Sequence, residues 1–415
     1  MLHKKLYFAL LGWGMIAIFY SYQYFLQVSP GVMANELMRD LNIHATALGV
    51  LAACYLYTYA GMQIPVGIII DRYGARKPLT SAICICACGA ILFGTSSNFA
   101  LMALGRLMIG FGGAFAVISG LYLSANSLPI KYFAFLTGLV VTLGMFGASF
   151  GQSPLATMIN SLGWRYTMIL FGGIGLIIAV AVWLMVRDAH EILAITRKQR
   201  SILYGLRHVL KNRQIWLLAI YGGLVFMPIS VFGSLWGVPF LMVKYQLSNT
   251  DASIGLINLF MGLAIGCPVF GWLSDYIKRR KVIMFYTNIG ALISVIITIY
   301  LSIPYWLTSI TLFMFGLFTG GFLVSFAAAR EIDESKSTGA NMGFMNTMNM
   351  IGGAALQPLC GWILDLTWQG PMNHSVRIYT TRNFQIALAV IPLAIILATI
   401  MLIWVKETFC REVEP

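Results

Sequence analysis

The chain has 415 residues, of which 59% are hydrophobic and only 10% charged, and its net charge is +13. Soluble domains carry about 25% charged residues, so a soluble fold of this size would lack the polar surface to cover itself. The bases sit in short segments between long apolar runs, which points away from nucleic acid and toward a chain threaded repeatedly through lipid.

Apolar runs of roughly 20 residues, the length that crosses a bilayer as a helix, recur from end to end. Twelve spans are predicted, at 6–34, 46–70, 78–97, 100–127, 132–160, 165–186, 214–243, 251–274, 282–302, 304–329, 338–365 and 383–405. The fold class is therefore all-α and polytopic, with two six-helix bundles at 1–187 and 213–415. They are joined by a linker at 188–212, where "SILYGLRHVLKNRQIW" begins an amphipathic surface helix. The first apolar run has basic flanks like a signal peptide, but it is too long and no small-residue cleavage site closes it; it reads as a retained span.

Span 1 carries Tyr20, Gln23, Tyr24 and Gln27, spaced to share one helical face. Span 2 adds Tyr55 and Tyr59, one turn apart. It ends in the elbow "GIIIDRYGARK", with Gly67, Asp71, Arg72, Gly74 and Arg76. Span 3 contains "CICAC", whose first and last cysteines share a face that the middle one does not; this is apolar filler rather than a metal site. Six of the seven cysteines fall in spans and one in the C-terminal tail, so no disulfide framework is expected.

Span 4 holds Arg106, about two turns from one membrane surface. A charge at that depth costs about 2.5–3.5 kcal/mol on insertion scales and faces the bundle interior with a partner. The partner is Glu36 at the end of span 1, a carboxylate on a substrate, or backbone carbonyls. Span 7 contributes Trp236, and span 11 contributes Asn346, Asn349 and Gln357. Lipid offers amides no partner, so these face a cavity or a neighbouring helix. Amides, phenols and one arginine suit a small polar solute, not a polyanion. "NMGFMNTMNM" in span 11 is rich in methionine, but with no histidine beside it packing is the better reading than a soft-metal path.

The elbow returns as "GWLSDYIKRRK", with Asp275, 204 positions further on. Of the 27 bases, Arg39, Arg165, Lys244, Arg377 and Arg382 fall on one side and Arg106 lies within a span; the rest share the side of both termini. That side is cytoplasmic by the positive-inside rule, and both elbows lie on it. Half-chain repeats of this kind build many secondary transporters, with the substrate between the halves.

The motifs resemble those of the major facilitator superfamily. Gly67, Asp71, Arg72, Gly74, Arg76 and Lys77 follow its signature between spans 2 and 3, G-x-x-x-D-R-x-G-R-R/K, with Ala75 as an insertion before the basic pair. "RLMIGFG" in span 4 and "GWRY" before span 6 are similar to two further family patterns. More narrowly, "SYQYFLQVSPGVM" and "YAGMQIPVGIIIDRYGARKPLT" resemble the phagosomal transporters of intracellular proteobacteria, which are associated with uptake of amino acids or nucleosides.

The resemblance implies that Asp71 caps a neighbouring helix and, with the elbow bases, holds the halves together on the cytoplasmic side. Asp275 is a degenerate copy without the second glycine, either gating or anchoring. Span 5 lacks the family's antiporter Gly-Pro step, which favours import.

The expected function is secondary transport of a small polar nutrient, an amino acid or similar zwitterion, across the inner membrane. The resemblance implies proton coupling, which would run through Arg106 and Glu36; a facilitator without coupling fits the residues as well. Export of a drug-like or siderophore-like compound and a non-transporting sensor are the alternatives. No Walker loop, zinc ligand set or nucleophile elbow occurs, so no enzyme, cofactor or metal is expected. The expected partners are a small-molecule solute, protons and the bilayer, with no nucleic acid, and the chain is expected to act as a monomer.

Overall fold

The computed structural model describes residues 2–126, 133–186, 207, 209–332, 338–373 and 376–410. Most of the linker, 188–206 and 208, and with it the first part of the expected amphipathic helix, therefore lies outside the described residues.

Helices stand at all twelve expected places. Span 1 is Leu2–Val32, and a short helix, Ala34–Leu41, leads from it into span 2 at Ala45–Tyr73. Span 3 is Arg76–Thr95, span 4 is Phe99–Gly113 continued by Phe115–Asn126, span 5 is Phe133–Phe150 continued by Ser153–Leu162, and span 6 is Trp164–Met185. Span 7 runs through Arg213–Pro228, Ile229–Trp236 and Gly237–Tyr245; span 8 is Asn249–Ile277 and span 9 is Arg280–Tyr300. Span 10 comprises Tyr305–Thr319, Gly320–Phe322 and Leu323–Ile332; span 11 is Thr338–Thr367, and span 12 is Thr381–Ala387 with Val390–Met401. One detail departs from all-α: Met372–Asn373 and Val376–Arg377 form a two-residue antiparallel pair before span 12.

Among the described residues, nine helices are long and apolar enough to cross a membrane by composition. Spans 1, 5 and 11 are not among them. Spans 1 and 11 carry the tyrosines, glutamines and asparagines singled out above, which lower their apolar content without shortening them.

Helix starts need partners for their first N–H groups. Asn98, Asn212 and Ser248 cap spans 4, 7 and 8 from the adjacent residue, and Thr380 with Asn383 forms a capping box on span 12. Spans 2 and 9 have no local side-chain cap. Each is capped from afar by a carboxylate: Asp365 accepts from Thr46 N at 2.9 Å, and Glu407 accepts from Arg280 N at 2.7 Å. A carboxylate there also meets the positive end of the helix dipole.

Span 7 is broken near its middle. Pro228 ends the α-helical stretch and Ile229–Trp236 winds as a π-helix. The looser winding leaves carbonyls to be satisfied from outside. Gln357 of span 11 donates to Ser230 O at 2.7 Å, and Gln152 of span 5 donates to Gly233 O at 3.4 Å.

Spans 1–6 and 7–12 meet most tightly at the end away from the chain termini, called here the distal end. There Asn249 donates to Val32 O at 2.7 Å and Asn160 to Thr250 Oγ1 at 3.2 Å. Glycine permits the close approach of spans 2 and 11: a methyl group on Gly49 would lie 2.6 Å from Gln357 O. Nearer the terminal end the same two spans stay in contact: Thr347 Oγ1 donates to Ala60 O at 3.4 Å, and a methyl on Gly343 would lie 3.8 Å from Ile64.

Candidate functional site

Arg106 is fully buried. Its partners are carbonyls: Nη1 donates to Leu26 O at 2.7 Å, and Nη2 to Gln27 O and Ala52 O, both at 3.4 Å. The cause lies in span 1. Pro30 has no N–H, so the Leu26 carbonyl four residues back loses its helical donor. Arg106 supplies one, with Ser29 Oγ as a second at 2.9 Å. The expected pairing with Glu36 is therefore corrected. Glu36 lies beyond the end of span 1, on the short helix Ala34–Leu41, while Leu26 and Gln27 stand more than two turns back along the chain. The guanidinium carbon also lies 5.3 Å from the centre of the Tyr55 ring, while Nε has no partner.

Tyr55 extends this contact toward the second half. Its hydroxyl donates to Gln23 Oε1, and its ring stacks with Tyr59 at 5.6 Å. The Asn346 side chain of span 11 lies beside the Tyr59 hydroxyl. Tyr20 and Tyr24 pack edge to face at 5.0 Å, their hydroxyls 3.4 Å apart, with Tyr55 and Tyr59 as electrostatic neighbours of Tyr20. The structure thus brings together Arg106, Tyr55, Gln23, Tyr20, Tyr24, Tyr59 and Asn346, drawn from spans 1, 2, 4 and 11. All four tyrosines and Gln23 are buried, and Gln23 Nε2 has no partner.

The remaining expected residues lie apart from this cluster. Gln27 is buried, and its backbone carbonyl is what Arg106 uses. Asn349 is buried where span 11 meets Gly222 of span 7, and its Oδ1 is unpartnered. Trp236 donates to Gln357 O at 3.1 Å and lines a distal cavity instead.

The elbow residues are spread out. Gly74 makes the turn at φ 77°, where glycine is required. Gly67 was expected to allow close backbone approach, yet among the described residues a methyl there would meet nothing within 4 Å. Arg72 lies 5.2 Å from its neighbour Tyr73, and Arg76 donates to Trp183 O at 2.8 Å. Asp71 falls on the helix, but its side chain lies outside the described residues. Asp275 pairs with Arg280 at 2.6 Å within its own elbow.

Sequence reasoning missed the distal tie. Asp365 Oδ2 accepts from both N and Oγ1 of Thr46, at 2.9 and 2.5 Å. Its Oδ1 accepts from Tyr379 at 2.5 Å and Arg377 Nη1 at 3.0 Å. The Tyr379 oxygen in turn accepts from Ala45 N at 3.2 Å, and the bond to Asp365 together with burial pushes its hydroxyl well above the usual range. A carboxylate from the second half thus caps a helix of the first.

Two more carboxylates sit at this end. Burial pushes Glu36 up from the ordinary carboxylate range, against a backbone hydrogen bond and the charge of Arg39. Burial acts the same way on Asp40, but bonds from Trp164 and Arg39 and the charges of Arg39 and Arg165 outweigh it and hold Asp40 low.

The sequence profile of the Major Facilitator Superfamily matches residues 8–357 and, in a second alignment, 224–408. The mouse lysosomal dipeptide transporter MFSD1 is 25% identical over 371 residues, covering 82% of this chain and 77% of that one. The uncharacterized transporter YybO of Bacillus subtilis is 24% identical over 303 residues, 67% of each chain. Among solved structures, a bacterial homologue of the human lysosomal transporter Spinster, inward-facing and unoccupied, superposes with a TM-score of 0.74 at 14% identity. That superposition covers 96% of this chain and 95% of the other. The chain is a multi-pass membrane protein and belongs to the Major Facilitator Superfamily.

Proposed function

We propose that this protein is a secondary transporter that imports a small polar organic solute, an amino acid or similar zwitterion, by alternating access. One observation carries the reading: Tyr59 of the first half and Asn346 of the second lie side by side at a cluster of buried phenols, an amide and one arginine. Such a group engages a polar solute through hydrogen bonds from both halves. The mouse relative's description as a dipeptide transporter, and the resemblance to phagosomal transporters, support an amino-acid-like cargo.

The basic terminal end faces the cytoplasm of a cell whose inner membrane holds the chain. The tie of Asp365 to Thr46 then closes the outer face, as an inward-facing form requires. In the outward-facing form the Asp71 elbow takes over at the other end, where Gly67 is open for it. Glu36 is the residue that couples transport to protons. Its neutral form is favoured while the distal end is closed, so the closed form loses stability as pH rises through the raised Glu36 value and keeps it below. Arg106 positions the broken span 1 beside the cluster.

Counterflow in proteoliposomes loaded with single amino acids and dipeptides tests this reading. Exchange of at least one zwitterion is expected, and its absence across both sets overturns it. Tyr59→Phe and Asn346→Ala should each cut that exchange about tenfold, roughly one hydrogen bond's worth, with little change in Tm. For the coupling residue, accumulation driven by an inward pH gradient should vanish in Glu36→Gln while counterflow at saturating solute persists.

A further inference from the structure

We propose that a cavity at the distal end, between the two halves, is a docking site for a zwitterion with an apolar side chain, separate from the tyrosine cluster. The cavity has a volume of about 330 Å³, within the range of small-molecule sites. Glu36 and Arg39 line it from the short helix after span 1, and Arg377, Tyr379 and Phe384 line it from the second half, with Trp236 and Val243 adding apolar wall.

Two lining groups of opposite charge have unmet hydrogen-bonding capacity. Among the described residues, Glu36 Oε2 has no partner. Arg377 gives Nη1 to Asp365, but its Nε has none among them. Buried polar atoms are seldom left this way, and the exceptions need a reason. The two groups stand on opposite halves around one cavity. A simple cation would answer only Glu36, a simple anion only the guanidinium, and an apolar molecule neither. A molecule with an ammonium and a carboxylate answers both: the ammonium goes to Glu36, offsetting the burial that otherwise favours its neutral form, and the carboxylate to Arg377 and to Arg39, whose exposed side chain also pairs with Asp40. The side chain of such a molecule lies against Phe384, Trp236 and Val243. The site thus deepens the transporter reading, on which its role as a stage for cargo rests, by naming charge at both ends of the cargo as the feature selected.

Asn35 is exposed on the same wall and serves as a reporter. The full chain carrying Asn35→Cys is placed in nanodiscs and labelled with a polar maleimide, and the rate on the parent protein is subtracted. L-leucyl-L-leucine and L-leucine should slow labelling several-fold. N-acetyl-L-leucine, without the ammonium, and L-leucinamide, without the carboxylate, should need about tenfold more for the same protection. Glu36→Gln and Arg39→Gln should each weaken protection by the zwitterions, and Glu36→Asp should restore it, which a merely structural loss would not.

Equal protection by the capped compounds, or unchanged protection in Glu36→Gln, overturns the site. So does failure of every zwitterion to protect, even where counterflow of the same zwitterion proceeds; the transporter reading then stands without it. Protection that obeys the charge rules in a protein showing no counterflow upholds the site and sinks the transporter reading instead.

Discussion

The elbows at 67–77 and 271–281 share a pattern, yet the structure completes them differently. In the first, Gly74 turns at φ 77° and ψ 176°, a region only glycine enters readily. In the second, the matching residue is Lys278, left-handed at φ 56° and ψ 34°, which other residues reach at modest cost. Arg76 and Arg280 also correspond. Arg76 lies 4.3 Å over the Trp183 ring and donates to its carbonyl. Arg280 is buried, pairs with Asp275 and Glu331 at 2.6 Å each, and donates to Ser274 Oγ at 2.5 Å. The tail then covers this corner, with Thr408 donating to Glu331 Oε2 at 2.5 Å. A repeated pattern therefore preserved the place of the turn but not the use of its charges. The second elbow's arginine is committed to its own half, which leaves the first as the better candidate for exchanging contacts between halves.

The largest expected effect breaks this asymmetry at the arginines. Arg280→Ala strips Glu331 of its buried partner, and loss of one member of a buried pair costs about 3–5 kcal/mol. Arg76→Ala removes a carbonyl bond and a ring contact at a half-buried site, for about 1–2 kcal/mol. Thermal unfolding of both variants in detergent should therefore show a far larger Tm loss for Arg280→Ala. Equal losses would mean that the two elbows are energetically alike.

The same contrast explains what could be read in advance. Bilayer thickness sets span length, so twelve spans were legible from apolar runs alone. The tyrosine faces were legible because Tyr20, Gln23 and Tyr24, and again Tyr55 and Tyr59, keep helical spacing. The burial of Arg106 was legible, but which of its three candidate partners it takes was not. The missing clue was Pro30, which frees the Leu26 carbonyl that the guanidinium takes. Asp365 stayed hidden because an acid at a span end reads as a membrane boundary, and Thr46 lies 319 residues away in sequence. The π-helix of span 7 offered only Pro228 and a glycine, which fit an ordinary kink as well.

A middle-sized effect sharpens the comparison at the turns. Gly74→Ala forces a side chain into glycine-only territory and should cost about 1–3 kcal/mol. Lys278→Gly should do the reverse but weakly. Relief of the left-handed strain, about 1–2 kcal/mol, is offset by the greater freedom of glycine in the unfolded chain, about 0.5–1 kcal/mol. Opposite signs in Tm are expected. A loss in both variants would show that the lysine is held by something beyond the turn.

The smallest effect concerns how span 9 begins. Its first amides are satisfied by Glu407, which accepts from Arg280 N at 2.7 Å and Lys281 N at 3.1 Å. Span 3, the counterpart after the first elbow, begins at Ala75, whose own side chain carries no capping oxygen. Glu407→Gln keeps an acceptor of similar shape but removes the charge that meets the helix dipole, a loss of about 0.3–1 kcal/mol. Glu407→Ala also removes the acceptor and should cost about 0.5–2 kcal/mol in all. The order glutamate, glutamine, alanine in Tm would establish the tail as a cap in its own right. If alanine matched glutamate, the tail would lie on the elbow without stabilising it, and the second elbow would owe its rigidity to Arg280 and Glu331 alone.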